Sequence, residues 1–513
     1  MNLGDQQNEL VIIGANPSGL ILATQLLRYG LQPVIIDSKS SSSKVSPSIS
    51  LHSGSLEIFN QLGILEEILE QGLLCRGLNI QLEKEIIKHK TYADFALHSE
   101  FPFVFNISQK KIEEVLIKYL ARKACPIYWD AKVLSFRQDD KMVEVEIQKD
   151  NKLNKRTFKW IVVADGSQVE LKEQFSYNQW TIKRPLYQLD LQTSEQHNRN
   201  MHLVVSKDVF VLGSPIDSHG RYDFIGSFPS GDVVINQSHK LKEVLDQSLG
   251  FSIPVESFNW IRTFDLYAIR ASEYLKQRII LVGEASFSQS GFCGNSINNG
   301  IQGAHNLGWK LANVCLGIQA ETILHSYEEE RKAIDNRHFR RNYWLSRVLI
   351  SSAILPLVIR KRIINKVLKC DSLFTFNSNY RKNSLTLHHS LEGTIKAGDH
   401  VPYLKIYDEK KKEETDLHTW CKKPGFVLLL LGNLSSHSLF IMAQWMKQKY
   451  TSYMHLFYLP YSSKNNSVFE AFDVQPGHNK MILVRPDMHI AYMHDVVSAN
   501  LIDTYMTEVM KWN

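Results

Sequence analysis

The sequence predicts an α/β protein assembled from three parts, and three observations predict it. Strand and helix alternate from the start, over residues 10–36. The texture turns to alternating strands and turns over residues 176–265, as in HLVVSKDVFVLG and the SHGR turn before YDFIGSF. An α/β pattern then resumes over residues 398–513. A length of 513 residues suits about two to four domains.

Composition narrows the functional classes. Hydrophobic residues at 44% and charged residues at 22% describe a chain with a real core. With 26 Gly and 15 Pro, collagen-like or Gly/Pro-rich disorder is excluded. The six cysteines are too sparse for a disulfide scaffold, and none forms a CxxC pair. That usage predicts a reducing, cytoplasmic compartment and no clustered zinc site. The first residues lack a basic region ahead of their short apolar run, so no signal peptide is expected.

The net charge of +6 is local: nine Lys or Arg and no acid lie between Asn336 and Cys370. Nucleic acid is therefore not an expected partner. The same segment contains VLISSAILPLVI, 12 residues where a membrane span needs about 20. Two readings stay open for residues 337–369. One is a buried or amphipathic helix broken near Pro356; the other is a peripheral membrane contact held by Arg360, Lys361 and Arg362.

Taken in order, residues 10–13 read as an apolar strand, 17–29 as a helix and 33–36 as a second strand ending at Asp37. This βαβ unit is the minimal dinucleotide-binding element. Helical patterns follow at 55–71 and 109–123, and strands at 141–148 and 160–164. After the β-rich stretch, 278–283 is a buried strand, followed by a Gly/Ser/Asn loop and a helix over 299–316. Helices continue to Cys370, and a polar linker precedes the last unit. The aromatic residues of the insertion, Trp180, Tyr187, Phe210, Tyr222, Phe224 and Phe228, are expected mostly in sheet core, with some lining a pocket.

The turn VIIGANPSGLILA has the shape of a phosphate-binding βα turn, which needs glycine for the tight turn, for close approach of the ligand and for helix–strand packing. Gly14 and Gly19 fill the first and third places; the second is Asn16. Pro17 and Ser18 open the helix, whose free N–H groups favour an anion. The Asn16 side chain either turns aside or donates to a phosphate, or else it blocks the site. Asp37, 23 residues after Gly14, stands where a ribose-binding acid belongs.

Three more stretches follow in a fixed order: FNISQKKIEEVLIKYL, WIVVADGSQVELK and RIILVGEASFSQSGFCGNSINNGIQGAHNLGWKLANVCLG. With them the chain resembles the class A flavoprotein monooxygenases, aromatic hydroxylases with a para-hydroxybenzoate-hydroxylase-like fold. The C-terminal part, from KAGDHVPYLKI to LVRPDMHIAYM, resembles the thioredoxin-like appendix of the phenol- and polyketide-hydroxylase branch. The resemblance covers nearly the whole chain, and NNGIQGAHNLGWKLA is its most specific piece.

The resemblance implies a Rossmann-like FAD-binding domain over 1–175 and 266–330, an inserted β-sheet substrate domain over 176–265, a helical segment and linker over 331–397, and a thioredoxin-like domain over 398–513. It implies that Gly14, Ser18 and Gly19 cradle the FAD pyrophosphate and that Asp37 binds the adenosine ribose. Gln109 matches a glutamine on the flavin side, and Asp165 and Gly166 an Asp-Gly pair tied to both nucleotides. Glu284 falls on the carboxylate that holds the ribityl chain. Gly294, Asn295, Ser296, Ile297 and Asn298, within the loop 290–298, would face the flavin pyrimidine edge, where a helix N-terminus favours negative charge.

The chain departs from the family at several places. Gly54 replaces an arginine, Glu284 replaces aspartate, Ser290-Gly291 replaces Pro-Pro, and CGNSIN stands for Gly-Gly-Gln-Gly-Met-Asn. By resemblance the activity is hydroxylation of a small aromatic or phenol-like substrate by molecular oxygen through a flavin C4a-hydroperoxide, with NADH or NADPH as co-substrate. Two other readings compete: a non-catalytic scaffold or binding descendant, suggested by the changed FAD motifs, and a membrane-associated hydroxylase of a lipid-like quinone precursor, suggested by residues 337–369. No catalytic base and no metal ligand set is named, and homo-oligomerisation stays open. His52, His305, His388 and His389 lack metal spacing, Cys293 reads as a packing residue, and Cys421 has no partner cysteine.

Overall fold

The computed structural model describes residues 9–42, 47–82, 85–92, 99–166, 174–193, 199–205, 210–227, 255–290, 295–350, 379–391 and 393–513, with positions 246, 359 and 362. The first layer is a six-stranded sheet in the order Leu275–Lys276, Ile279–Leu281, Trp160–Val163, β1 (Leu10–Ile13), β2 (Val34–Ile36), Ile127–Tyr128. All pairs are parallel except the first. β1 is buried at every residue, as a strand covered on both faces must be, and its unbroken apolar run follows from that.

Helix α1 (Pro17–Arg28) returns across this sheet, capped by Asn16 with Pro17 in the first turn. It is buried from Pro17 to Leu26 because a long helix, Asn295–Cys315, packs on its other side. Contact there is close: a Cβ on Gly308 would lie 2.7 Å from the Gln25 Cβ.

The single helix expected over 55–71 is two. Helix α2 (Ser53–Leu62) stops at Gly63, which adopts a left-handed φ of 73°, and Leu65–Leu69 follows separately. An apolar period continues across the break, so periodicity alone misses it; Gly63 is the stop signal. The helix expected from 299 begins four residues earlier, at Asn295.

The second layer is an eight-stranded sheet ordered Phe287–Gln289, Val255–Ala271, Tyr177–Thr193, Arg221–Ser227, Phe210–Pro215, Asn200–Val205, Gly77–Leu82, Glu85–Thr91. Its strands extend beyond the expected 176–265 span on both sides. Gly77–Leu82 joins by running parallel to Asn200–Val205, a pairing across more than a hundred residues that no local pattern reports.

The C-terminal unit runs strand Phe426–Gly432, helix Ser436–Lys449, parallel strand Met454–Leu459, helix Asn466–Ala471, then antiparallel strands Asn479–Val484 and Ile490–His494 and helix Ala499–Thr504. Phe426–Gly432 is buried along its whole length. Phe426, Leu428 and Leu430 join the core of the N-terminal layers, whereas Val427, Leu429 and Leu431 fill a core of the unit's own.

Among the described residues, no helix is long and apolar enough to cross a membrane. Most of the 337–369 segment beyond Ile350 lies outside the described residues.

Candidate functional site

The βα turn is built tightly. Gly14 has φ 110°, and a Cβ there would lie 2.8 Å from the Cβ and N of Asp165. A Cβ on Gly19 would come within 2.0 Å of the Gly14 carbonyl oxygen. Between them Asn16 neither blocks the turn nor points outward. Its Nδ2 donates to the Ala164 carbonyl at 2.8 Å, and its Oδ1 accepts from the Gly19 N–H at 3.0 Å. Of the two pictures open for Asn16, the side chain turned aside is the one observed, locked by two buried bonds.

Asp37 is turned toward the same loop. Its carboxylate accepts from the Ala15 N–H at 2.6 Å and the Lys39 N–H at 2.8 Å. The Ser18 side chain is wedged inward: Cβ atoms on Gly283 and Gly300 would meet its Oγ at 2.2 and 2.3 Å. Pro17 has no N–H, and those of Ala15 and Gly19 are engaged, so the amides of Asn16 and Ser18 remain for an anion at this helix start.

Asp165 and Gly166 follow strand Trp160–Val163, and a Cβ on Gly166 would lie 2.9 Å from the Glu284 carbonyl oxygen. The two loops therefore meet backbone to backbone. Asn298, in the first turns of the long helix, accepts from the His52 N–H at 3.0 Å and the Ser55 hydroxyl at 2.7 Å, and donates to the Ser50 carbonyl at 2.7 Å. It fastens that helix to α2. Gly294, Gly291 and Cys293 lie outside the described residues, as does Phe228.

Gln109, Glu284, Ser296 and Ile297 come together on one wall of a cleft with about 1120 Å³ of empty space, part of it open to solvent. The facing wall is the eight-stranded sheet, through Gln188, Ile225, Arg262, Phe264 and Tyr267. Glu284 is reached by solvent through the cleft yet hemmed in by protein. Its pKa is raised, first by desolvation and then by Asp165 and Glu113. Among the described residues its carboxylate has no hydrogen-bond donor, and the buried Ser296 Oγ has no partner either. Gln109 donates to Glu113 at 2.8 Å, which fixes its amide at the cleft edge.

These features fit a flavin nucleotide. A large cleft has an unpaired carboxylate for hydroxyl groups, an orphan hydroxyl beside a helix start, and a glycine turn leading away from it.

The sheet side of the cleft was not legible beforehand. Of the aromatic residues expected mostly in sheet core, Tyr187, Tyr222 and Phe224 do lie in a core, on the face away from the cleft. Trp180 packs edge-on against Phe339 and Tyr343, at 6.1 and 5.5 Å between ring centroids. Strand parity is the reason: Gln188 and Arg262 face the cleft, so their neighbours face away.

The remaining candidates are structural. His52 and His305 are buried, each pushed down to about 3 by desolvation, and His305 hydrogen-bonds Gln61 at 2.5 Å. Burial pushes the Cys421 thiol up to about 12. Gly54 lines a small cavity between α2, the long helix and the C-terminal unit, beside Glu57 and His400. No cluster of three or more metal-ligating side chains occurs among the described residues.

Comparison with known proteins agrees with this geometry. The family described as FAD binding domain matches residues 7–342. The chain is similar to 6-methylpretetramide 4-monooxygenase of Streptomyces rimosus, 26% identical over 338 residues, 64% of this chain and 60% of that one. It is equally similar to pentachlorophenol 4-monooxygenase of Sphingobium chlorophenolicum, 26% over 339 residues, 63% and 62% of the two chains. The matched stretch thus spans about 60% of those relatives' length. Among solved structures, the flavin-dependent monooxygenase PieE in complex with FAD and substrate superposes with a TM-score of 0.80 at 15% identity, over 99% and 100% of the chains. OxyS anhydrotetracycline hydroxylase from Streptomyces rimosus gives 0.76 at 19%, over 98% and 99%. At such identities these two show a shared fold.

Proposed function

The chain belongs to the FAD binding domain family, and on that premise we propose that it is an FAD-dependent monooxygenase, hydroxylating a small aromatic or phenol-like molecule with molecular oxygen and NADH or NADPH. The observation that carries this reading is the two-walled cleft. One wall gathers Gln109, Glu284, Ser296 and Ile297, four of the positions that match the family's flavin contacts, and the other is a sheet with polar and aromatic side chains. The names of the relatives, all monooxygenases or hydroxylases, support the reaction type.

FAD supplies the electron transfer and oxygen activation that no side chain can perform. The chain's own part is binding, orientation and electrostatics. Gly14, Asn16, Pro17, Ser18 and Gly19 shape the anion-binding turn, with Asp37 bracing it from below. Glu284 would accept from ribityl hydroxyls. The start of the long helix, with Asn295, Ser296, Ile297 and Asn298, would offer positive potential to the flavin ring. Asp165 and Gly166 join the two loops, and Gln109 borders the ring. Ile49, Ile225, Phe264 and Ile297 line the cleft and limit water.

We read the C-terminal βαβαββα path as a thioredoxin-like unit with a structural role, since Cys421 is buried and its thiol raised. Asn16, one of the changed positions behind the scaffold reading, has its side chain bonded to Ala164 and Gly19, which favours the enzyme reading. The deciding experiment is titration of the apo-protein with FAD, followed by NADH and NADPH oxidation across a panel of phenols. Saturable FAD uptake with phenol-stimulated oxidation is expected, and absence of FAD uptake would overturn the proposal.

A further inference from the structure

A second space opens where α1 and the long helix end against the C-terminal unit. It holds about 1030 Å³ of empty volume, part of it open to solvent. Arg28, the last residue of α1, and Asn313 of the long helix face residues 423–426 and 452–455 across it. No Asp or Glu is among the described lining residues. With 12 residues α1 spans about 18 Å, which sets this pocket apart from the glycine turn at the other end of the helix.

The cations here are uncompensated. Arg28 donates only to neutral acceptors, the Gln25 and Gln61 side-chain oxygens at 3.2 and 3.3 Å and the Lys422 carbonyl. Desolvation holds its pKa below the usual value, and no carboxylate acts against that. Lys423 is exposed, and its ammonium meets no carboxylate among the described residues. Arg122, at the end of helix Gln109–Arg122 beside α1, provides the contrast: it closes on both oxygens of Glu67, at 2.7 and 2.9 Å. The carbonyls that end α1 and the long helix do not offset the charge. The amides of Tyr29 and Gly30 take those of Leu26 and Leu27, and the amides of Leu316 and Gly317 take those of Ala312 and Val314.

The pocket also lacks one hydrogen bond. Asn313 is 3% exposed. Its Nδ2 donates to Gln319 Oε1 at 2.8 Å, and Gln319 Nε2 donates to the Met510 carbonyl at 2.6 Å, which fixes both amides. Asn313 Oδ1 is thereby left a buried acceptor with no donor among the described residues. The opposite wall is firmly built. A Cβ on Gly425 would lie 2.7 Å from the Tyr453 carbonyl oxygen, and Ser452 holds a left-handed φ of 73°, which its surroundings must enforce.

We infer that this pocket binds a nucleoside monophosphate, its phosphate between Arg28 and Lys423 and its base against Tyr29 and Tyr453. Two cations match the charge of about −1.5 to −2 that a phosphate monoester carries at pH 7. The space is far larger than a phosphate needs, and the two half-buried tyrosines offer ring surface to a base. An amino group on the base supplies the donor that Asn313 Oδ1 lacks. Hydride transfer requires contact with the flavin, and the far end of α1 is not the place for it. The nucleotide instead bridges the first layer and the C-terminal unit, and stabilises their docking by binding only where both are present.

The test is made on the full-length protein with FAD in excess. Hydrogen exchange with and without adenosine monophosphate is expected to slow in residues 422–426 and 452–455, and to stay unchanged in residues 14–19. By calorimetric titration the monophosphate binds at least about tenfold more tightly than adenosine, the scale of one charge-assisted contact. Inorganic phosphate slows exchange in the same segments but binds more weakly than the nucleotide. Lys423→Glu, at an exposed position, lowers monophosphate affinity at least about tenfold and leaves adenosine within about twofold, whereas Lys423→Arg keeps both.

Equal affinity for the monophosphate and adenosine would overturn the inference. So would an affinity that Lys423→Glu does not change, or slowed exchange confined to residues 14–19. Inorganic phosphate binding as tightly as the nucleotide would overturn the part assigned to the base. Failure to take up FAD would count against the proposed function alone, because the exchange pattern separates this pocket from the glycine turn.

Discussion

Two polar regions of this protein differ in how their charges are paired. Between the long helix and the C-terminal unit, Lys310, Glu330, Arg485, Asp487 and Asn306 are all buried, and each is bonded to another member. Lys310 meets Glu330 at 2.7 Å, Arg485 grips both Glu330 and Asp487, and Asn306 donates to both carboxylates at 2.7 and 2.8 Å. In the cleft, among the described residues, the Glu284 carboxylate, the Ser296 hydroxyl and the terminal amino groups of Arg262 have no such partners. Fully paired charges fix how two parts dock; unpaired groups around a space are free to meet a ligand. The same residue types are thus closed on one another in one place and left open in the other.

The sharpest way to break the comparison is to unpair the interface. Glu330→Ala leaves Lys310 and Arg485 buried without their shared partner, and is expected to cost about 3–5 kcal/mol of stability. Chemical denaturation of the apo-protein checks it. A loss below about 1 kcal/mol would show that the network is not what holds the units together.

In the cleft the same kind of change should barely touch folding. Glu284→Ala is expected to leave denaturation nearly unaltered and to weaken FAD by about 1.5–3 kcal/mol, the worth of a hydrogen bond to a charged group. FAD titration decides it. Glu284→Asp should bind FAD at least as well as wild type.

Glu57 sharpens the comparison from inside the interface. Its Oε1 accepts from Ser99, but its buried Oε2 has no hydrogen bond and faces His400 at 3.4 Å. Desolvation raises its pKa to about 8. The folded state therefore holds a proton that the unfolded state releases above its ordinary value near 4.5. Stability falls as pH rises from that value to about 8, and is flat above. His52 and His305 act the opposite way at lower pH, so the difference between wild type and variant isolates Glu57. Glu57→Gln should gain about 1–2 kcal/mol on wild type between pH 5 and pH 8. Melting curves at the two pH values measure it; parallel shifts would assign Glu57 to the fully paired class.

The smallest effect is expected at Asn16. Its side chain caps α1 and ties to Ala164, away from the ligand side. Asn16→Gly should change FAD affinity by less than about twofold and cost stability below about 1 kcal/mol. A large gain in FAD affinity would show that the asparagine obstructs the turn.

Much of the first layer was legible because its signals are local. The β1 run, Pro17 at a helix start and Gly14 at a positive φ each state their conformation within a few residues. Glu284, Gln109, Ser296 and Ile297 were singled out by the family resemblance of their segments, and the structure brings these four to one cleft. Arg262, Gln188 and Tyr267 were not found, because the direction of a strand side chain depends on register with a distant partner. The recruitment of Gly77–Leu82 into the large sheet and the backbone-bracing role of Asp37 were hidden for the same reason: each depends on a neighbour far along the chain.

Strand Phe426–Gly432 serves two cores with alternate residues, three facing each way. It cannot come apart from one core while remaining part of the other, so the melting of either core removes a wall of its neighbour. The layers and the C-terminal unit are thereby coupled, so heat absorption is expected as a single event and the amides of Leu428 to Leu431 are expected to exchange only when the whole molecule opens.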